Sequence, residues 1–157
     1  MEPASADRGS QWLSVRIGGG EFAMDIMAIR EIRGWIASTP LPHAPSYVRG
    51  MINLRGAALA IIDVAERLGL QGQPPSAASV VVVVEAEGHT VGLLVDAVCD
   101  IITVRDQMRQ ALPETGGIAC RRYIESLVMM EERIISILSL RAIIPAAGEL
   151  EIETQAA

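Results

Sequence analysis

Covalent catalysis by this chain would have to start from Ser10, Ser14, Cys99 or Cys120, and none of them stands in a nucleophile's setting. A triad needs a hydroxyl or thiol, a histidine and a carboxylate converging on one point. Neither a G-x-S-x-G elbow nor a cysteine-hydrolase signature surrounds these residues. Cys99 and Cys120 are separated from each other and from His43 and His89, which leaves no CxxC pair and no zinc ligand set at usual spacing. His43, in Leu-Pro-His-Ala-Pro, and His89, after Gly88 at a hairpin tip, read as solvated turn residues rather than bases or ligands. All 13 basic residues are arginine. Without lysine, Schiff-base, pyridoxal and Walker-type phosphate chemistry are excluded.

Two carboxylate pairs, Asp25 with Glu31 and Asp96 with Asp100, offer acid and base groups or the start of a divalent-ion site. No third ligand is indicated, and these residues read as rim or interface positions. Gly18-Gly19-Gly20 would suit a phosphate cradle only if a helix opened directly after it, and the pattern there is that of a hairpin. Arg55, in the turn Asn53-Leu54-Arg55-Gly56, is the single most suggestive side chain. A guanidinium fork can hold a carboxylate in a fixed orientation while its flat face packs on apolar neighbours, although an ordinary surface arginine is the equal alternative.

The elements that would position these groups are mainly strands. The chain has 157 residues, half of them apolar and only 3% aromatic, so its interior is built from Val, Ile, Leu, Ala and Met. A net charge of −6 disfavours a nucleic-acid surface, no apolar stretch reaches the ~20 residues that span a bilayer, and the polar start lacks an export signal, so a cytoplasmic protein is expected. A hairpin is expected from Trp12 to Ile26 around the three glycines, followed by a proline-bearing loop with Pro40, Pro42 and Pro45. Strands from Tyr47 to Leu54 and through Ile61-Ile62 flank the Arg55-Gly56 turn, and a short helix covers Val64 to Leu68. Gln71 to Ser76 reads as linker, and Val80 to Val84 as a strand buried on both faces.

The two halves repeat. Ala28-Ile29-Arg30-Glu31-Ile32 corresponds to Ala97-Val98-Cys99-Asp100-Ile101 at an offset of 69 positions, from 31 to 100. Tyr47-Val48 corresponds to Tyr123-Ile124 at an offset of 76, from 47 to 123, and the match runs without a gap to Leu68 and Ile144. The larger second offset places a longer loop between Arg105 and Ile118. Two similar β modules packed face to face are the expectation. The expected limits are a tail over residues 1–10, one domain over 11–145 and an acidic tail over 146–157. Within the domain, subdomains of about 11–70 and 79–145 flank a linker at 71–78, with the chain ends free to cross between them.

Arg30-Glu31-Ile32-Arg33-Gly34, Val48 through Gly56 with its Asn-Leu-Arg-Gly turn, Ile61-Ile62-Asp63-Val64 and Val91 through Val98 together resemble the CheW family of chemotaxis coupling proteins. The resemblance spans roughly Gln11 to Ile144. The chain departs from the family pattern at Ala60, where proline is frequent, and in its lack of lysine. The resemblance implies two SH3-like five-stranded β-barrel subdomains around a shared apolar core with short helices, no enzymatic activity and no cofactor or metal. It implies a scaffold that bridges the cytoplasmic tip of methyl-accepting chemoreceptors to the regulatory domain of a CheA-type histidine kinase in arrays at the inner face of the membrane. The receptor-facing groove would involve Ile29, Glu31, Ile32, Asn53, Leu54 and Arg55, with Glu31 and Arg55 paired at its rim; the kinase-contact residues stay open. A same-fold adaptor in another chemosensory pathway, or a small β-barrel enzyme or ligand binder, are the alternatives.

Overall fold

The computed structural model describes residues 9–70, 74–113 and 121–145. The expected acidic tail, most of the expected N-terminal tail, residues 71–73 of the linker, Gly116-Gly117 and Cys120 lie outside the described residues. In chain order the strands are β1 (Ser10–Ile17), β2 (Gly20–Asp25), β3 (Ile29–Gly34), β4 (Val48–Leu54) and β5 (Ala57–Asp63) in the first half. The second half supplies β6 (Val80–Ala86), β7 (His89–Val95), β8 (Ala97–Val104), β9 (Arg109–Gln110), β10 (Ile124–Met130) and β11 (Arg133–Leu138). The short helices α1 (Val64–Leu68) and α2 (Leu140–Ile143) close the two halves.

The expected mainly β fold with short helices is what forms. One sheet has five strands, in the order β3-β6-β7-β5-β4, and the other has six, β8-β1-β2-β11-β10-β9. The sixth strand is the two-residue β9, which pairs with Val128 and Leu127 of β10. Apart from β9, moving each strand by its repeat offset converts one sheet order into the other. The opening hairpin of each repeat has crossed over: β1-β2 sits among strands of the second half, and β6-β7 among strands of the first. Parallel pairs join the exchanged hairpins to their hosts, with Ile61 opposite Gly92 in one sheet and Ile137 opposite Ala23 in the other.

Both faces of the exchanged hairpins are buried, which explains their unbroken apolar runs. On β6, Val81 and Val83 fill the five-stranded barrel with Leu59, Ile61 and Leu94. Val82 and Val84 turn the other way into a core shared with Leu13, Val15, Phe22 and Met24 of the other sheet. The six-stranded barrel has its own interior of Trp12, Ala23, Ile102, Val128, Ile135 and Ile137. Small residues at the joins let the barrels close: a Cβ on Gly92 would lie 2.8 Å from both Ile61 Cδ1 and Val81 Cγ1.

Local signals set the element ends. The Asp63 carboxylate accepts from Glu66 N to cap α1, and Gly69 at φ 80° ends it. Arg49 donates twice to Asp63 Oδ2, at 2.9 and 2.7 Å, holding the nearly buried carboxylate. Bulges interrupt the strands at matching places in the two repeats, at Arg30 and near Cys99, and again at Arg49 and Glu125. After β3 the chain returns along β4 through reciprocal Thr39 and Met51 hydrogen bonds of 2.8 Å.

Candidate docking surface

β3 is an edge strand of the five-stranded sheet, paired on one side only with β6. Regular alternation would send Ile29 and Ile32 to opposite faces, being three positions apart. The bulge at Arg30 restores their phase: Ile29 sits opposite Val84 and Ile32 opposite Val82, both on the face turned to the shared core. Ile29 packs against that core, whereas Ile32 lies beyond its cover and is 47% exposed. Glu31 and Arg33 stand opposite Val83 and Val81, on the face that closes the barrel.

The other half of the site is the β4-β5 turn. Arg55 and Gly56 take φ of 52° and 87°, the pair of left-handed conformations of a type I′ hairpin turn. Asn53 Oδ1 accepts from Gly56 N at 2.8 Å and fixes the loop. Leu54, half-buried, packs with Trp35 and Ile52 against the barrel interior. With its neighbours anchored, Arg55 reaches outward, 70% exposed, and its Nη1 donates to Glu31 Oε2 at 2.7 Å. Arg33 adds a longer contact to Glu31 Oε1 at 3.4 Å. The hydrogen bond from Arg55, ahead of the charges of Arg55 and Arg33, holds the Glu31 carboxyl below its ordinary value despite partial burial.

Of the six expected site residues, Glu31 and Arg55 meet directly, Asn53 and Leu54 serve as supports for Arg55, and Ile32 is an exposed apolar side chain. Ile29 faces the core. A concave groove lies nearby, about 230 Å³ in volume, lined by Trp12, Asp25, Ala28, Ala86, Glu125, Leu138, Leu140 and Arg141. It brings the end of β6 against strands of the other sheet, and Ala28 on its wall directly precedes Ile29. Met27, 78% exposed, stands one residue further along the same turn.

The second barrel repeats the arrangement in altered form. Asp100 occupies the place of Glu31 and receives Arg133 at 3.5 Å, while Ile101 occupies the place of Ile32 and is likewise exposed. Arg133 also binds Glu21, whose carboxylate accepts from Ser14 as well. Ile134 and Met129, cross-strand partners on β11 and β10, add exposed apolar surface. Sequence reasoning left this patch unassigned, although the repeat offset alone pointed to Asp100 and Ile101.

The remaining polar candidates have structural duties. Asp25 accepts from Met27 N at 2.9 Å at the start of a 3-10 turn, and Asp96 accepts from Gly18 N at 2.9 Å at the β1-β2 turn. Cys99 is an exposed free thiol. Among the described residues no cluster of three or more His, Cys, Asp or Glu side chains is arranged to hold a metal ion, and no helix is long and apolar enough to cross a membrane. An oriented ion pair beside an uncovered apolar side chain on a sheet edge is equipped to recognise a protein surface.

Residues 11–148 match the family described as the CheW-like domain. Two relatives are a chemotaxis protein CheW of Rhizobium meliloti, 43% identical over 88% of this chain and 89% of its own length, and a probable chemotaxis protein CheW of Rhizobium etli, 44% identical over 83% and 84%. Among solved structures, the scaffolding protein TtCheW of Thermoanaerobacter tengcongensis superposes with a TM-score of 0.81 at 25% identity, covering 89% of this chain and 95% of that one.

Proposed function

The chain belongs to the CheW-like family of chemotaxis scaffold proteins, and from that premise we propose that it joins the cytoplasmic tip of methyl-accepting chemoreceptors to the regulatory domain of a CheA-type histidine kinase. It transmits receptor state to the kinase by holding the two in one complex and catalyses no reaction itself. The complex places the protein in receptor arrays at the inner face of the membrane.

The observation that carries this reading is the Glu31 and Arg55 pair on the edge of the first barrel, beside exposed Ile32. Ile29, Glu31, Ile32, Asn53, Leu54 and Arg55 form the proposed receptor-facing surface: Ile32 anchors, Arg55 and Glu31 orient, and Ile29, Asn53 and Leu54 hold these in place. A specific observation favours a second assignment within the same function. Receptor tips of this class are helical hairpins, and one concave feature away from the edge is the groove between Ala28, Leu138 and Leu140. In that assignment the helical tip sits in the groove and the Glu31 and Arg55 edge faces the kinase domain.

Reconstitution tests both. Receptor signalling fragments and kinase from the same source are mixed with the protein, and kinase autophosphorylation is followed with wild type, Arg55→Glu and Arg141→Glu, the last at an exposed residue of the groove. Activation by wild type and its loss in folded Arg55→Glu support coupling through the edge. Separate binding of each variant to the receptor fragment and to the kinase domain assigns each surface to its partner. No activation and no complex with wild type would reject the coupling role and direct the search to another chemosensory pathway.

A further inference from the structure

Where the two repeats meet, one side chain departs from the repeat. Tyr47 O accepts from Asp63 N at 2.7 Å, and its repeat counterpart Tyr123 O accepts from Ser139 N at 2.8 Å. The two tyrosines thus hold the starts of α1 and α2 in the same way. Arg67 on α1 lies with its guanidinium carbon 4.1 Å from the centre of the Tyr47 ring and 5.3 Å from that of Tyr123. Its counterpart on α2 is Ile143, so Arg67 alone reaches both rings, with Arg122 a second cation 5.2 Å from the centre of the Tyr123 ring.

The helix ends differ correspondingly. α1 finishes on Gly69, whose amide bonds back to Ala65 and Glu66 carbonyls. α2 has no glycine; Ile144, at φ −69°, stands in the capping position. A helix leaves its last carbonyls without intrahelical donors. Here Arg67 supplies them from the other repeat: Nε donates to Ile143 O at 3.0 Å and Nη2 to Ala142 O at 3.4 Å. Leu140 and Arg141, on the first turn of this same helix, line the groove.

We propose that Arg67 is a positioning residue for the groove. By capping α2 from α1 while stacked on the paired tyrosines, it fixes the helix that carries Leu140 and Arg141, and so sets the groove's width. The two donors reach the carbonyls while the cation lies over the rings, a combination that an ammonium group reproduces only in part. The functional half of the inference rests on the assignment of the receptor tip to the groove.

The test uses the full chain with Arg67→Met, which keeps an apolar stem, and Arg67→Lys, which keeps a donor. Amide exchange and the Trp12 indole signal, assigned by comparison with Trp35→Phe, are followed by NMR. Expected for Arg67→Met are exchange about tenfold faster at Ile143 and Ile144 with Val82 of β6 unchanged, and a shifted Trp12 signal. Arg67→Lys restores these in part. Receptor-fragment affinity falls about tenfold in Arg67→Met while kinase-domain affinity stays. Unchanged exchange at Ile143 and Ile144 with an unmoved Trp12 signal overturns the positioning role. If those readouts change but neither Arg67→Met nor Arg141→Glu weakens receptor binding, the positioning role stands and the groove assignment falls.

Discussion

Arg55 donates a 2.7 Å hydrogen bond to Glu31 across 24 positions of sequence, tying the turn after one edge strand of the five-stranded sheet to the opposite edge strand. The pair closes the seam of the barrel on its solvent side. Because Arg55 is largely exposed, its worth lies in orientation more than stability. Arg55→Glu and Glu31→Arg should each leave the thermal midpoint close to wild type and abolish most kinase activation. The double exchange should recover a substantial part of it. Loss of folding in either single variant would refute an orienting role.

Acid should expose a different ion pair. The hydrogen bond from Arg133, more than that from Ser14, lowers the Glu21 carboxyl from its ordinary 4.5 against the opposing effect of burial. A carboxyl with a depressed folded value stabilises fully above the unfolded value of 4.5 and loses that contribution as pH falls through the folded value. Glu21→Gln should therefore cost about 1 kcal/mol at pH 7, or roughly 3 °C in thermal midpoint. The gap from wild type should close below pH 4.5. Thermal melts from pH 7 to 3 measure this, and a constant gap would contradict it.

Two glycines should respond unequally to alanine. At Gly50, φ is 150° and a Cβ would meet the Thr39 carbonyl oxygen at 2.4 Å, a backbone atom that cannot swing away. At Gly92 the obstacles are side-chain methyl groups of Ile61 and Val81. Gly92→Ala is expected to cost about 1 kcal/mol and Gly50→Ala about 3 kcal/mol, near the ends of the range for overpacking. Urea melts of the two variants give the comparison, and the reverse order would contradict the geometry.

Equivalent caps offer an internal control. Asp63 caps α1 and also holds Arg49, whereas Ser139 only caps α2. Ser139→Ala should cost about 1 kcal/mol and Asp63→Ala about 2 kcal/mol or more. Arg49→Met should reduce the difference between them. Equal losses for the two cap variants would mean that the arginine contributes nothing.

Much of this was legible in the sequence. Glycines marked the β1-β2 and β4-β5 turns, the Val80 to Val84 run announced a strand buried on both faces, and α1 ends where its pattern and Gly69 say it should. The repeat carried the architecture, and the family resemblance, rather than residue type alone, suggested that Arg55 would pair with Glu31. What escaped was decided by tertiary pairing. β9 has two residues and no apolar alternation of its own. The exchange of hairpins leaves no trace, because a strand buried on both faces has the same composition whichever barrel receives it. The bulge at Arg30, which brings Ile29 and Ile32 to one face, carries no turn residue to betray it. Nor does the cap of α2 show locally, since its donor lies in the other repeat.

The crossing of the two hairpins also orders events on the ribosome. Every strand of the five-stranded sheet has been synthesised by Val95, but β1-β2, made first, has its partners in β8 and β11, the latter ending at Leu138. At roughly 5–20 residues per second the opening hairpin waits several seconds with its edges unmatched. A chain cut between the repeats would give two fragments, each lacking the central hairpin of its own barrel. The halves are copies in pattern yet cannot mature separately, and the edge that carries Glu31 and Arg55 is complete before the second barrel can close.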